Sequence, residues 1–82
     1  MRLPRDVGGA DLARRLAICG YAIARQTGSH VKLTSSHNGR EHHVTIPTSR
    51  LLRMANLNNI LVEVAAYLAI DKDALSATLF SS

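Results

Sequence analysis

An Asn-Gly dipeptide at 38–39 lies between two stretches in which apolar and polar residues alternate. Asn-Gly favours the two-residue turns that join antiparallel strands, because both residues tolerate positive φ angles. The alternating stretches cover residues 30–35 before the dipeptide and 41–46 after it. This pattern predicts a β-hairpin.

The alternation divides the predicted hairpin into an apolar and a polar face, since successive strand residues point in opposite directions. The apolar face is expected to carry Val31, Leu33, Val44 and Ile46. The polar face is expected to carry His30, Lys32 and His43. His42 and His43 are adjacent and therefore point to opposite faces, which argues against chelation of a metal by this pair.

A helix and a strand are predicted before the hairpin. Leu12, Leu16 and Cys19 recur at helical spacing over 10–19, and Gly20 suits the residue that ends such a helix. Residues 21–25 are predicted to form the first strand. Pro47 is expected to end the third.

Two helices are predicted after the hairpin. Asn56 is expected to cap the first of them, which carries the apolar residues Leu57, Ile60, Leu61, Val64 and Leu68. Asp71 is expected to cap a short final helix, which carries Ala74, Leu75 and Leu79. We therefore expect one α+β domain over 1–82, in which helices cover one face of a three-stranded antiparallel sheet as a two-layer sandwich.

Charge is distributed unevenly along the chain, whose formal net charge is +4. Nine of the ten basic residues precede residue 54, whereas the six acidic residues are divided equally about that point. A basic front portion suits a polyanionic partner such as a nucleic acid. A merely solvated basic surface has the same composition, so charge alone leaves both interpretations open.

Cys19 is the only cysteine, which excludes an internal disulfide and favours a reducing compartment. We expect its side chain to face the core. No apolar run approaches the ~20 residues that a membrane-spanning helix needs, and no signal-peptide core follows the basic N-terminus. These features predict a soluble cytoplasmic protein.

Gly28-Ser29-His30 leads directly into the second predicted strand. Gly28 is expected to supply unusual backbone angles there, and His30 can exchange protons near neutral pH. Lys32 is expected to hold a phosphate oxygen, while Gly28 and Ser29 offer backbone amides and Ser29 its hydroxyl. Metal-free cleavage of RNA by its own 2′-hydroxyl needs only such proton transfer and charge stabilisation. An exposed strand histidine is also an ordinary structural residue, so both interpretations stay open here.

Two further residues are candidates for RNA binding. Arg25 is expected to contact phosphates or an acidic surface of a partner protein. His43 either assists on the polar face or is a solvated side chain. Cleavage requires a flexible strand that reaches in-line geometry, so we expect the substrate of such a reaction to be single-stranded RNA.

The chain resembles the HicA-type toxins over roughly residues 2–80. The resemblance is carried by Leu3-Pro4-Arg5-Asp6, Gly20-Tyr21, Arg25-Gln26-Thr27-Gly28-Ser29-His30, the Val44-to-Pro47 strand end, and Leu57 with Ile60-Leu61. It implies a double-stranded-RNA-binding-domain-like fold, α-β-β-β-α, here with a short C-terminal helix. It also implies a small mRNA-cutting ribonuclease that blocks translation, needs no metal or other cofactor, and is neutralised by a HicB antitoxin. The catalytic histidine of the family corresponds to His30.

The chain departs from this family pattern at two places. Thr48-Ser49 stands where many relatives have a histidine, and Ala55-Asn56-Leu57 stands where Gly-Thr-Leu is usual. These differences bear on substrate grip and turnover more than on the fold. Two alternatives to the enzyme remain: a non-catalytic RNA-binding module on the same scaffold, and a basic domain that binds an acidic protein.

Overall fold

The computed structural model describes residues 6–37, 39–48 and 50–80. Its elements are, in chain order, α1 (Gly9–Leu16), a 3-10 turn (Ala17–Cys19), β1 (Ala22–Gln26), β2 (His30–His37), β3 (Arg40–Pro47), α2 (Met54–Leu68) and α3 (Lys72–Phe80). The three strands form one antiparallel sheet in the order β1-β2-β3. The predicted α+β class with a three-stranded antiparallel sheet is confirmed.

Strands β2 and β3 pair without interruption from His30 opposite Pro47 to His37 opposite Arg40. Gly39 lies in the turn before β3 and has a φ angle of 75°. Glycine adopts such an angle without a steric penalty. The predicted hairpin is confirmed, and both strands run closer to the turn than predicted; Asn38 itself lies outside the described residues.

One face of the sheet is buried and the other is exposed. Val31, Leu33, Val44 and Ile46 are at most 3% exposed, whereas His30, Lys32, His43 and Thr45 are exposed. This confirms the division that the alternating pattern predicts. We call the exposed side the open face and define it by Arg25, His30, Lys32, Thr34, His43, Thr45 and Pro47.

Strand β1 contains an irregularity between Ile23 and Arg25. Ile23 pairs with Leu33, but Lys32 pairs with Arg25 rather than with Ala24. Ala24 is therefore an extra residue, as in a β-bulge, which changes the direction of the side chains that follow it. The strand also begins one residue later than predicted, because Tyr21 is drawn into the core, where it is 3% exposed.

Helix α1 buries Leu12, Ala13 and Leu16, and Gly20 ends the 3-10 turn after it at a φ angle of 93°. The first residue of α1, Gly9, lies against the end of β3. A Cβ atom at this position would stand 1.7 Å from the carbonyl oxygen of Pro47. Only glycine permits this approach, so Gly9 fits the start of α1 onto the sheet.

Helix α2 begins earlier than predicted. Arg53 is its N-cap residue and makes no side-chain capping bond, and Asn56 lies within the first turn. The prediction that Asn56 caps this helix is therefore wrong. The start is positioned instead by Leu52, which is 5% exposed and whose amide donates to the Val7 carbonyl at 2.7 Å.

Helix α3 is held at both ends. Asp71 Oδ2 accepts a hydrogen bond from the Asp73 amide at 3.1 Å, which confirms Asp71 as the cap. At the other end, Arg15 Nη1 donates to the Leu79 carbonyl at 2.7 Å, and the guanidinium carbon lies 5.2 Å from the centroid of the Phe80 ring. These contacts bind the last turn of α3 to α1.

The core includes buried apolar residues from all three helices and from β2 and β3. Cys19 packs against it half-buried, as predicted, and burial raises the pKa of its thiol. Within the described ranges, no helix combines the length and apolar character needed to cross a bilayer.

Candidate functional site

The open face places Arg25, Lys32 and Thr45 in one row across the three strands. Directly paired residues on one sheet face have neighbouring side chains. His30 lies two residues from Lys32 on β2 and pairs with Pro47. The structure therefore brings together three of the predicted site residues: His30, Lys32 and Arg25.

The loop 27–29 that leads into His30 is held by a network around Thr27. The His30 amide donates to Thr27 Oγ1 at 3.0 Å, and the Thr27 amide donates to the His30 carbonyl at 2.8 Å. The Ser29 amide also points to Thr27 Oγ1, at 3.4 Å. This amide, predicted to face a phosphate, is thus directed toward the loop itself.

Thr48, which follows β3, holds the other side of the same loop. Its amide donates to the Ser29 carbonyl at 2.9 Å, and its hydroxyl donates to the Gly28 carbonyl at 3.0 Å. A threonine at each side therefore determines where His30 begins the strand. The sequence signal for this arrangement is weak, because Thr27 and Thr48 are 21 positions apart.

The imidazole of His30 is exposed. Its Nδ1 lies 3.1 Å from Ser29 Oγ, and either atom can be the donor, depending on the tautomer. Among the described residues, Nε2 has no hydrogen-bond partner. The ring is thus held at one nitrogen and open at the other, which is the arrangement that a proton-transfer group requires.

Gly28 does not have the unusual backbone that its residue type suggests. Its φ angle lies outside the positive range, and a Cβ atom there would meet no heavy atom within 4 Å. The expectation that the turn needs glycine for its backbone angles is wrong. The side chains of Thr27 and Thr48 shape this turn instead.

His43 lies on the open face but apart from His30. It pairs with Thr34, four residues further along β2 than His30, which corresponds to roughly 13 Å along the strand. Its Nε2 lies 3.7 Å from Glu41 Oε1. His43 is therefore too far from His30 to join it in proton transfer.

An aromatic cluster, which the sequence did not predict, lies near the hairpin turn on the buried side of the sheet. The Tyr21 hydroxyl is 2.7 Å from His42 Nδ1, and the His42 ring stacks on Tyr67 with centroids 4.7 Å apart. The Tyr67 hydroxyl also accepts from the His37 amide at 2.5 Å. Burial, mainly, raises the pKa of Tyr21 far above its usual value. The cluster binds the end of α2 to the hairpin, so His42 has a structural role.

Arg40 and the larger of two cavities lie apart from this site. Arg40 is engaged with Tyr67, whose carbonyl it contacts at 3.3 Å. A cavity of about 500 Å³ lies between α1 and β1 against Val31 and Leu33, on the side of the sheet away from His30. Among the residues that the structure describes, no three His, Cys, Asp or Glu side chains are grouped so that they can hold a metal ion.

Comparison of the chain with protein-family models, with curated proteins and with solved structures finds no match. The functional argument therefore rests on the residues of the open face and on their geometry.

Proposed function

We propose that this chain is a metal-independent endoribonuclease of the HicA type, which cuts single-stranded mRNA and thereby inhibits translation. His30 is its general acid/base. The observation that carries the proposal is the placement of His30: its imidazole is exposed beside Lys32, which lies opposite Arg25, and its Nδ1 lies at Ser29 Oγ.

The order of elements supports a double-stranded-RNA-binding-domain-like fold. A helix, a three-stranded antiparallel meander and a second helix follow one another, with α3 added at the end. The helices share a core with one sheet face, and the open face is left to solvent. We propose the double-stranded-RNA-binding-domain-like fold on this order of elements.

The reaction is an internal transesterification. Neutral His30 accepts the proton of a ribose 2′-hydroxyl, whose oxygen then forms a bond to the adjacent phosphorus. The bond from phosphorus to the 5′-oxygen of the next nucleotide breaks, and that oxygen receives the proton of the His30 imidazolium, relayed through water, which returns His30 to its neutral form. The products are a 2′,3′-cyclic phosphate and a 5′-hydroxyl, and no further reactant is needed.

Lys32 and Arg25 supply the charge that this reaction requires. Negative charge develops on the non-bridging phosphate oxygens in the transition state, and cations held beside them stabilise it. Neither side chain forms an ion pair with a described residue. Both are thus available to a phosphate on the open face, with the Ser29 hydroxyl close to His30.

The partner protein in this proposal is a HicB-like antitoxin. A protein that covers the open face would block access of RNA to His30. Arg25 and Lys32 together favour an acidic covering surface, since opposite charges guide association and fix its register.

The test compares wild type with His30→Ala in two assays: growth after induction, and cleavage of single-stranded RNA in the presence of a chelator. His37→Ala is the matched control, because His37 is an exposed histidine at the opposite end of the same strand. We expect wild type and His37→Ala to cut RNA and arrest growth, and folded His30→Ala to do neither.

Equal activity of wild type and His30→Ala contradicts the assignment of His30. Binding of RNA without cleavage by any of the three proteins contradicts the enzyme and favours a non-catalytic RNA-binding module. RNA affinity that vanishes at modest salt, while binding of an acidic protein persists, favours a protein-interaction domain.

A further inference from the structure

A second, smaller cavity opens at the edge of the open face, between β3 and the first turns of α2. Its volume is about 210 Å³. A cavity of this size suits one flat nucleobase rather than a longer segment. Its lining comprises Thr45, Pro47, Asn56, Asn59 and Ile60.

This cavity adjoins the residues that carry the proposed cleavage. Thr45 pairs with Lys32, and Pro47 pairs with His30. The two β3 residues that line the cavity therefore lie on the open face, directly beside the two β2 residues of the proposed site. Directly paired residues have Cβ atoms only about 5 Å apart. A nucleotide whose phosphate lies at Lys32 therefore has its base within reach of the cavity.

The helix side of the cavity offers two amides for recognition. Asn56 and Asn59 are three positions apart and so share one side of α2. Both side chains are exposed, and neither has a hydrogen-bond partner among the described residues. Asn58, between them, is engaged elsewhere: its Oδ1 accepts from Lys72 Nζ at 2.5 Å.

The chemistry of the lining favours a base over a phosphate. It contains no charged side chain, so it provides no counter-charge for an anion. Pro47 and Ile60 supply apolar surface for the faces of a ring, and each asparagine supplies a donor beside an acceptor for the ring's edge. Adenine presents the matching acceptor and donor, which asparagine binds in a bidentate manner.

We propose that this cavity receives an adenine next to the cleaved phosphate, and that Asn56 and Asn59 select it. The inference rests on the proposed RNA cleavage at His30, to which it adds sequence preference. Neither asparagine takes part in the chemical step in this scheme. Their loss should change which sites are cut more than how fast a preferred phosphate reacts.

The first arm of the test sequences the cleavage sites that the full-length chain makes in a pool of random single-stranded RNA. We expect wild type to enrich adenine at one position beside the cut. The double variant Asn56→Ala/Asn59→Ala should lose about fivefold or more of this preference, the lower end of what one bidentate pair provides. Asn58→Ala, which removes an amide on the other side of the helix, should keep it.

The second arm measures binding without cleavage. The probes are 2′-O-methylated oligoadenylate and oligouridylate, which lack the attacking hydroxyl. Wild type should prefer the adenine probe, and the double variant should bind both equally. This arm tests the cavity even where no cleavage is seen.

The outcomes separate the two proposals. Cleavage with no adenine preference, or with a preference that the double variant keeps, overturns the cavity assignment and leaves the ribonuclease intact. An adenine preference in binding, lost in the double variant but without cleavage, supports the cavity and overturns the enzyme. Absence of any RNA binding overturns both.

Discussion

Arg25 lies directly opposite Lys32 on the open face, although strict alternation from Ile23 would place it on the other side of the sheet. The extra residue, Ala24, turns Arg25 to this face. Like charges that face each other across strands are destabilising, and neither of these two forms an ion pair with a described residue. Two neighbouring cations without counter-charges repel each other, and an anionic ligand bound beside both would reduce this repulsion.

Replacing Lys32 with glutamine should weaken RNA binding without harming the fold. The variant removes one phosphate contact, so the slope of log affinity against log salt should become shallower by about 1. The free energy of unfolding should stay constant or rise by about 0.2–1 kcal/mol, because the like-charge pair is gone. Titrations at several salt concentrations and denaturant unfolding measure the two effects. An unchanged salt slope would show that Lys32 does not contact phosphate.

Gly9→Ala and Gly28→Ala should have opposite consequences for stability. The new methyl group at 9 would collide with the Pro47 carbonyl, and overpacking of this kind destabilises by about 1–3 kcal/mol. At 28 the methyl group meets open space and an ordinary φ angle, and the change should be neutral or stabilising by up to about 1 kcal/mol. Denaturant unfolding of both variants checks this. A large loss at 28 would mean that the turn needs glycine after all.

Ser76→Ala should stabilise the protein. Ser76 is 1% exposed, and its hydroxyl has no hydrogen-bond partner in the described structure. Leaving such a group unsatisfied costs about 1–3 kcal/mol, which alanine removes. Thr78→Ala is the control, because it raises helix propensity to a similar extent on the exposed side of α3. The Thr78 hydroxyl already donates to the Ala74 carbonyl, so its removal relieves no unsatisfied group. If Ser76→Ala raises the thermal unfolding midpoint no more than Thr78→Ala does, burial of the Ser76 hydroxyl does not destabilise the protein.

Stability should decline in alkaline solution because of Tyr21. Burial first, and then neighbouring groups, raise its pKa in the folded state, while an unfolded tyrosine ionises near ~10. Above that pH the unfolded chain has released a proton that the folded chain keeps, so the free energy of unfolding falls as pH rises. Unfolding curves at pH 8 to 11 should show this decline for wild type and a smaller one for Tyr21→Phe. Parallel declines in both proteins would assign the effect to other groups.

Local patterns predicted the hairpin and its two faces well, for a physical reason. The period of two along 30–35 and 41–46 and the Asn-Gly turn are properties of neighbouring residues, and burial of one face leaves only one register. His30 and Lys32 on the open face followed from that register. The Asp71 cap was also local, since the side chain bonds an amide two residues away.

The features that sequence reasoning missed depend on contacts between distant residues. Helix α2 begins at Met54 because Leu52 is held by Val7, 45 positions earlier, which overrides the capping preference of Asn56. Tyr67 and His42 stack across 25 positions. Glycine is required at Gly9, where a Cβ atom would collide with the Pro47 carbonyl at the end of β3, but not at Gly28, where a Cβ atom would meet no heavy atom within 4 Å. The bulge at Ala24 has no side-chain signature of its own.

The bulge at Ala24 also changes how this sheet responds to changes in chain length. In a regular strand, loss of one residue reverses the direction of every side chain beyond it. Here Ala24 has no partner on β2, so its deletion would leave Ile23 opposite Leu33 and Arg25 opposite Lys32. A gene can therefore lose this one codon and keep the charge pattern of the open face. Strand β1 thus tolerates a change in length, whereas deletion of a residue from β2 or β3 would exchange their buried and exposed side chains.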